Sequence, residues 1–171
     1  SDKQKAPRAC KAIFENLEKA YNCPDEIEAR QNLCEASFDA GVAFRRISTG
    51  YVHAIAHRLG ESYHIPHGYA NAVLLPYILE AYMPSIAHDL SELSHFCGFG
   101  DKSLSDEENA MLFIKRIEQL NKSLNISNKI PEINKNDYNS MIKRIKSEAS
   151  LQGCPVRLSS SQIINILNRL A

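Results

Sequence analysis

An all-α fold follows from three observations on the sequence. Apolar residues recur at helical spacing over most of the chain, while the period-two alternation of a half-buried strand is almost absent. Helix start signals, such as Asp25 with Glu28 and Ser105 with Glu108, stand ahead of the apolar stripes, and prolines or glycines stand after them. At 171 residues the chain has the length of one ordinary domain, able to bury about two-thirds of its unfolded surface. Residues 1–171 are therefore expected to form one multi-helix bundle.

Each element has its own justification. Pro7 suits the first turn of a helix in which Ile13, Leu17, Ala20 and Tyr21 repeat on one face, and Cys23-Pro24 ends it. Asp25 and Glu28 form a capping pair for a long helix reaching about Ile47. Its inner face is Leu33, Ala36, Ala40, Ala43, Phe44 and Ile47, with Gly41 predicting a close helix–helix approach. Ser48-Thr49-Gly50 breaks it, and a histidine-bearing helix runs to a break at Gly60. From about Tyr69 to Tyr82 runs a helix that is apolar nearly all round over Ala70–Leu79, which predicts a central position. Pro76 is expected to kink it, and Pro84 to stop it. Ile86, Leu90, Leu93 and Phe96 mark the next helix, ended by Gly98. The box Ser105/Glu108 opens another through Phe113, Ile114, Ile117 and Leu120. Residues 121–136 are polar and turn-rich and are predicted to be an exposed loop. Tyr138, Met141, Ile142 and Ile145 give an amphipathic helix whose Lys143, Arg144 and Lys146 form a solvated face. Ser159 or Ser160 caps the last helix, Ile163–Leu170.

Composition excludes several classes of function. Lysine plus arginine equals aspartate plus glutamate, so no net charge recommends nucleic acid or an anionic membrane as partner. The apolar runs are too short and interrupted to span a bilayer, and Ser1-Asp2-Lys3-Gln4-Lys5 does not read as a secretory signal. Five cysteines, an odd number without a Cys-x-x-Cys, point to reduced thiols in a cytoplasmic protein. Cys34 falls in an apolar pattern and is expected in the core, while Cys23-Pro24 and Gly153-Cys154-Pro155 read as turns.

The chemistry is concentrated between residues 50 and 76. Four of the six histidines fall within fifteen residues there. His53 and His57, spaced i, i+4, share one helix face, and His67 returns from the following turn. From spacing alone, the three imidazoles make a set that a divalent metal can use, since burying them unpartnered costs about 1–3 kcal/mol each. Ala54 stands where His-Glu-x-x-His needs its glutamate, which removes the metalloprotease reading. His64 beside Tyr63 reads as a loop residue facing solvent, and no carboxylate–histidine cluster completes a site around His88 or His95.

The wording of this stretch is more specific than its spacing. Gly50-Tyr51-Val52-His53-Ala54-Ile55-Ala56-His57, then Gly60, then Pro66-His67-Gly68-Tyr69-Ala70-Asn71-Ala72-Val73-Leu74-Leu75-Pro76, closely resembles the signature of the iron-dependent (group III) alcohol dehydrogenases. Ala29-Arg30 through Ala40-Gly41-Val42-Ala43-Phe44 resembles the helix before that signature. Gly153-Cys154-Pro155-Val156-Arg157 resembles the family's late Asn-Pro-Arg segment. The resemblance implies the helical C-terminal domain of the dehydroquinate synthase-like fold. It maps two of the four metal ligands, an aspartate and three histidines in that family, onto His53 and His67. It makes His57 a residue lining the cleft near nicotinamide and substrate, with a catalytic role, in place of the third ligand that spacing suggests. The family's upstream Asp-x-x-x-His occurs nowhere in these residues, nor does its Gly-Gly-Gly-Ser phosphate loop. The chain is thus expected to be the C-terminal half of a metal-dependent dehydrogenase and inactive alone, the nucleotide-binding domain and first two ligands lying upstream. The implied cofactors are iron(II), with zinc as the alternative, and NAD or NADP. The implied substrate is a small alcohol or aldehyde, and a second copy of the chain is a candidate partner. The competing readings are a glycerol-dehydrogenase-like or dehydroquinate-synthase-like zinc enzyme, and a non-catalytic helical module for partner binding or dimerisation.

Overall fold

The structure, a computed structural model, describes residues 4–44, 49–149 and 154–171. Among the described residues there are eight α-helices, one short 3₁₀ turn and no strand. The helices are α1 (Lys5–Asn22), α2 (Ile27–Phe44), α3 (Gly50–Tyr63), α4 (His67–Tyr82), α5 (Ala87–Phe96), α6 (Asp106–Ser123), α7 (Tyr138–Ala149) and α8 (Ser160–Leu170), with the 3₁₀ turn at Lys135–Asp137. The all-α class read from the periodicity is the one that forms. Contacts gather the elements into two compact units: Ser1–Arg46 with Ala87–Leu124, and Ile47–Ile86 with Asn125–Ala171.

The first unit holds α1, α2, α5 and α6. Small residues let α1 and α2 approach: Ala9, Ala29 and Ala36 are buried, and the buried Asn16 donates to the Ala12 carbonyl and accepts from the Asn32 amide at 3.1 Å. The expected inner face of α2 is only partly realised. Ala36 is buried, but Leu33, Ala40 and Ala43 are half-buried, Phe44 is exposed, and Ile47 lies outside the described residues. Cys34, expected in the core, is exposed. Nor does a close approach occur at Gly41, where no described side chain comes within 4 Å of the place a Cβ would take. The alanines make the contact instead, leaving the larger Ile27 and Phe38 about 70% exposed. Opposite, α6 begins at Ser105, whose hydroxyl accepts from Glu108 N while the Glu108 carboxylate accepts from Ser105 N at 2.8 Å, the reciprocal box read from the sequence. Phe113, Ile114 and Ile117 are buried, and Phe14 meets Phe99 and Phe113 edge-on.

The second unit holds α3, α4, α7 and α8 around Ile55, Leu59, Leu74, Ile78, Ile145, Ile163, Leu167 and Leu170, all fully buried. The stripe Tyr138, Met141, Ile142, Ile145 faces inward as the periodicity predicts, and Lys143, Arg144 and Lys146 face solvent. Ser159 caps α8 reciprocally with Gln162. Two boundaries differ from expectation. Helix α3 runs through Gly60 to Tyr63, because His64 takes the left-handed conformation (φ 57°) and its N–H closes on the Gly60 carbonyl. Helix α4 begins at His67, two residues early, from an extended Pro66, and continues through Pro76 to end before Pro84. The segment 121–136 departs most. Its first three residues extend α6, and beyond them Ile130 and Ile133 are buried. Ile130 N–H donates to the Leu170 carbonyl at 2.7 Å, so two apolar side chains and one backbone bond pull a polar stretch onto the core. Gly153 lies outside the described residues.

Candidate metal and catalytic site

Three histidines converge where α3 turns into α4. His53 and His57 stand one turn apart on α3, and His67 is the first residue of α4, brought back by the tight turn at His64. The ring centroids of His53 and His67 are 5.2 Å apart, those of His57 and His67 5.1 Å apart, and those of His53 and His57 6.0 Å apart. The His57 and His67 rings stack at 19°. Spacing and turn chemistry thus bring all three sequence-identified imidazoles together. His64 points to solvent, as expected of a loop residue.

Helix α3 is anchored at its start. Gly50 has φ 68°, and a Cβ there would come within 3.3 Å of Cys154 Sγ and 3.4 Å of the Tyr82 hydroxyl. One residue on, the buried Tyr51 hydroxyl accepts from Leu158 N at 3.1 Å. The Tyr51–Leu158 bond ties down the first turn of the helix that carries His53 and His57.

Each imidazole has a distinct environment. His53 is half-buried, and its Nδ1 is buried with no hydrogen-bond partner among the described residues. Burial, then the charges of His67 and His57, lower its pKa, outweighing the opposing influence of the Thr49 backbone and of the Glu148 charge. His53 therefore gives up its proton at lower pH than an ordinary histidine. Nε2 of His67 lies 3.0 Å from the Asn71 amide nitrogen, which tethers the ring through that edge. His57 is partly exposed, and its Nδ1 lies 2.5 Å from Glu148 Oε1. Glu148 also meets Arg58 Nη2 at 3.4 Å. Arg58 Nη1 meets Glu61 at 2.8 Å, and Glu61 meets Arg144 at 2.7 Å. The Arg144 hydrogen bond, with the charges of Arg144 and Arg58, lowers the Glu61 pKa.

The sequence reading missed Glu148, Arg58 and Asn71. Asn71 stands four residues after His67 on one helix, a signal that spacing offers. Glu148 is 91 residues from His57, and no local pattern connects them. His88, on α5, pairs with Asp106 at 2.9 Å in the other unit, a carboxylate contact invisible in sequence. Among the described residues no three or more histidine, cysteine, aspartate or glutamate side chains are arranged to hold a metal ion by themselves. No helix among them is long and apolar enough to cross a membrane.

Comparisons with known proteins agree on one family. The family model described as Fe-containing alcohol dehydrogenase family, C-terminal, matches residues 4–171. Alcohol dehydrogenase 4 of Saccharomyces cerevisiae is 35% identical over 161 residues, covering 92% of this chain and 41% of that protein. Among solved structures, a 1,3-propanediol oxidoreductase superposes with TM-score 0.92 at 28% identity, and an alcohol dehydrogenase from Oenococcus oeni with TM-score 0.91 at 29% identity. Each superposition covers 99% of this chain and 45% of the other. The chain thus spans less than half the length of these relatives, and it belongs to the iron-containing alcohol dehydrogenase family, matching that family's C-terminal region.

Proposed function

We propose that in a complete protein this chain contributes His53 and His67 to a divalent-metal site and His57 as a proton-handling group, within a nicotinamide-dependent alcohol dehydrogenase or aldehyde reductase. The observation that carries the reading is the histidine cluster itself, with centroids 5.1–6.0 Å apart and a buried His53 Nδ1 that meets no partner. Three adjoining imidazoles, His53 half-buried and His57 and His67 exposed, repel one another increasingly as they charge, a cost that a shared cation would remove. When bound, a divalent metal supplies Lewis-acid polarisation of the substrate oxygen and a nicotinamide supplies hydride exchange.

The chain's own residues prepare that chemistry. Burial keeps the His53 ring unprotonated to lower pH than an ordinary histidine. Asn71, one turn after His67, tethers the His67 ring through its Nε2 edge. His57, stacked on His67 and tied to Glu148, presents its ring edge beside the two ligands, where it can move a proton to or from a hydroxyl. Iron(II) follows from the family, and imidazole ligands accept zinc as well. A small alcohol or aldehyde is the substrate class, in line with relatives named alcohol dehydrogenase and 1,3-propanediol dehydrogenase.

Elemental analysis of the complete protein tests the assignment. His53→Ala and His67→Ala are each expected to strip most of the bound metal, while His57→Ala keeps it and loses alcohol-dependent nicotinamide reduction. Full metal content in both ligand variants refutes the ligand set. The chain alone is expected to give no turnover above blank.

A further inference from the structure

The stripe Met141, Ile142, Ile145 and Ala149 fixes the rotation of α7 and seats Glu148 against α3. Both oxygens of that carboxylate are engaged, Oε1 by His57 Nδ1 at 2.5 Å and Oε2 by Arg58 Nη2 at 3.4 Å. The Arg58 side chain is only 14% exposed and is itself held by Glu61, which is held by Arg144. An arginine has donors only and keeps its charge, so it obliges Glu148 to remain an acceptor. Glu148 then requires a donor from His57. In the neutral ring that places the hydrogen on Nδ1 and the lone pair on Nε2, the edge away from the carboxylate. Stacking on His67 at 19° restrains the ring about the same axis.

We propose that Glu148 is a positioning residue for His57, its carboxylate fixing the imidazole tautomer that leaves Nε2 as the proton acceptor. Arg58, Glu61 and Arg144 form the chain of ion pairs that holds the carboxylate in place. The catalytic consequence rests on the dehydrogenase reading above; the tautomer does not.

The test uses three variants and two readouts. In Glu148→Gln the amide must turn its oxygen to the donor-only Arg58, which aims its NH₂ at His57 and inverts the tautomer. Glu148→Asp keeps an acceptor, and Glu148→Ala removes it. Long-range ¹H–¹⁵N correlation spectra of the full chain at alkaline pH are expected to show His57 as Nδ1–H in the unaltered protein and in Glu148→Asp. Glu148→Gln is expected as Nε2–H, and Glu148→Ala without the Nδ1–H preference. An Nε2–H tautomer in the unaltered chain, or one indifferent to both Glu148→Gln and Glu148→Ala, overturns the inference. In the complete enzyme Glu148→Gln is expected to lower kcat about a hundredfold with KM changed less than about twofold, and Glu148→Asp to recover most of the loss. Equal kcat in all variants overturns the positioning role. Absence of alcohol-dependent turnover in the unaltered complete protein sinks the dehydrogenase reading instead, and the spectra still decide the tautomer.

Discussion

Nδ1 of His57 and Oε1 of Glu148 are 2.5 Å apart although 91 residues separate them in sequence. Arg58 stands behind that contact as the least exposed member of the ion-pair chain. Replacing it by methionine fills similar volume but leaves Glu148 and Glu61 facing one another without their shared cation. Arg58→Met is expected to destabilise the fold by about 1–2 kcal/mol, read from urea unfolding. Glu61→Gln, at an exposed side chain, is expected to leave the midpoint nearly unchanged. A midpoint equal to wild type for Arg58→Met contradicts the account.

Gly50 opens the histidine helix in the left-handed region, with Cys154 and Tyr82 close around it. A methyl group there meets both backbone strain and tight contacts. Gly50→Ala is expected to cost about 1–3 kcal/mol, in contrast to Gly41→Ala, whose helical site is open and which should be neutral or stabilising. Thermal melts of the two variants separate these expectations, and equal melting temperatures defeat them.

Exposure sorts the large apolar residues into two groups. Ile55 is fully buried on α3, so Ile55→Ala is expected to lose about 2–5 kcal/mol through transfer and cavity terms. Phe38 is 70% exposed on α2, and Phe38→Ser is expected to stay within about 0.5 kcal/mol in the isolated chain. Denaturant midpoints check both, and a large loss for Phe38→Ser points to burial of α2 in an assembly.

His88 carries a pH signature. The Asp106 hydrogen bond, then the charges of Asp106 and Glu92, raise its pKa, so the folded state keeps the proton to higher pH than the unfolded chain does. Its stabilising contribution is complete below the unfolded value of about 6.5 and is lost as pH rises through the higher folded value. The stability gap between wild type and His88→Gln should therefore be wider near pH 5.5 than near pH 8.5. A gap that widens toward alkaline pH reverses the sign and refutes the pairing.

Much of this architecture was legible because it is local. The boxes at Ser105 and Ser159, the stripe from Tyr138 to Ile145, and the turn that returns His67 toward His53 and His57 all depend on neighbours within a few residues. What escaped is non-local or depends on backbone conformation. His64 ends α3 where Gly60 seemed the natural breaker, because an αL cap four residues later satisfies the helix carbonyls. Ile130 and Ile133 sit in a polar context yet are buried, and the backbone of Ile130 bonds to Leu170 of α8, which no local pattern connects to it. Cys34 matches an apolar period, but Ala29 and Ala36 are the residues that α2 buries, and Cys34 lies off that edge. Glu148 could be placed beside His57 only once α7 was docked on α3.

The hydrogen bond from Leu158 to the Tyr51 hydroxyl sets a timetable for the site. The two groups lie 107 residues apart, so a ribosome has made the imidazole-bearing helix long before it makes the segment that clamps it. The clamp on the start of the histidine helix is thereby completed only after residue 158 has been made.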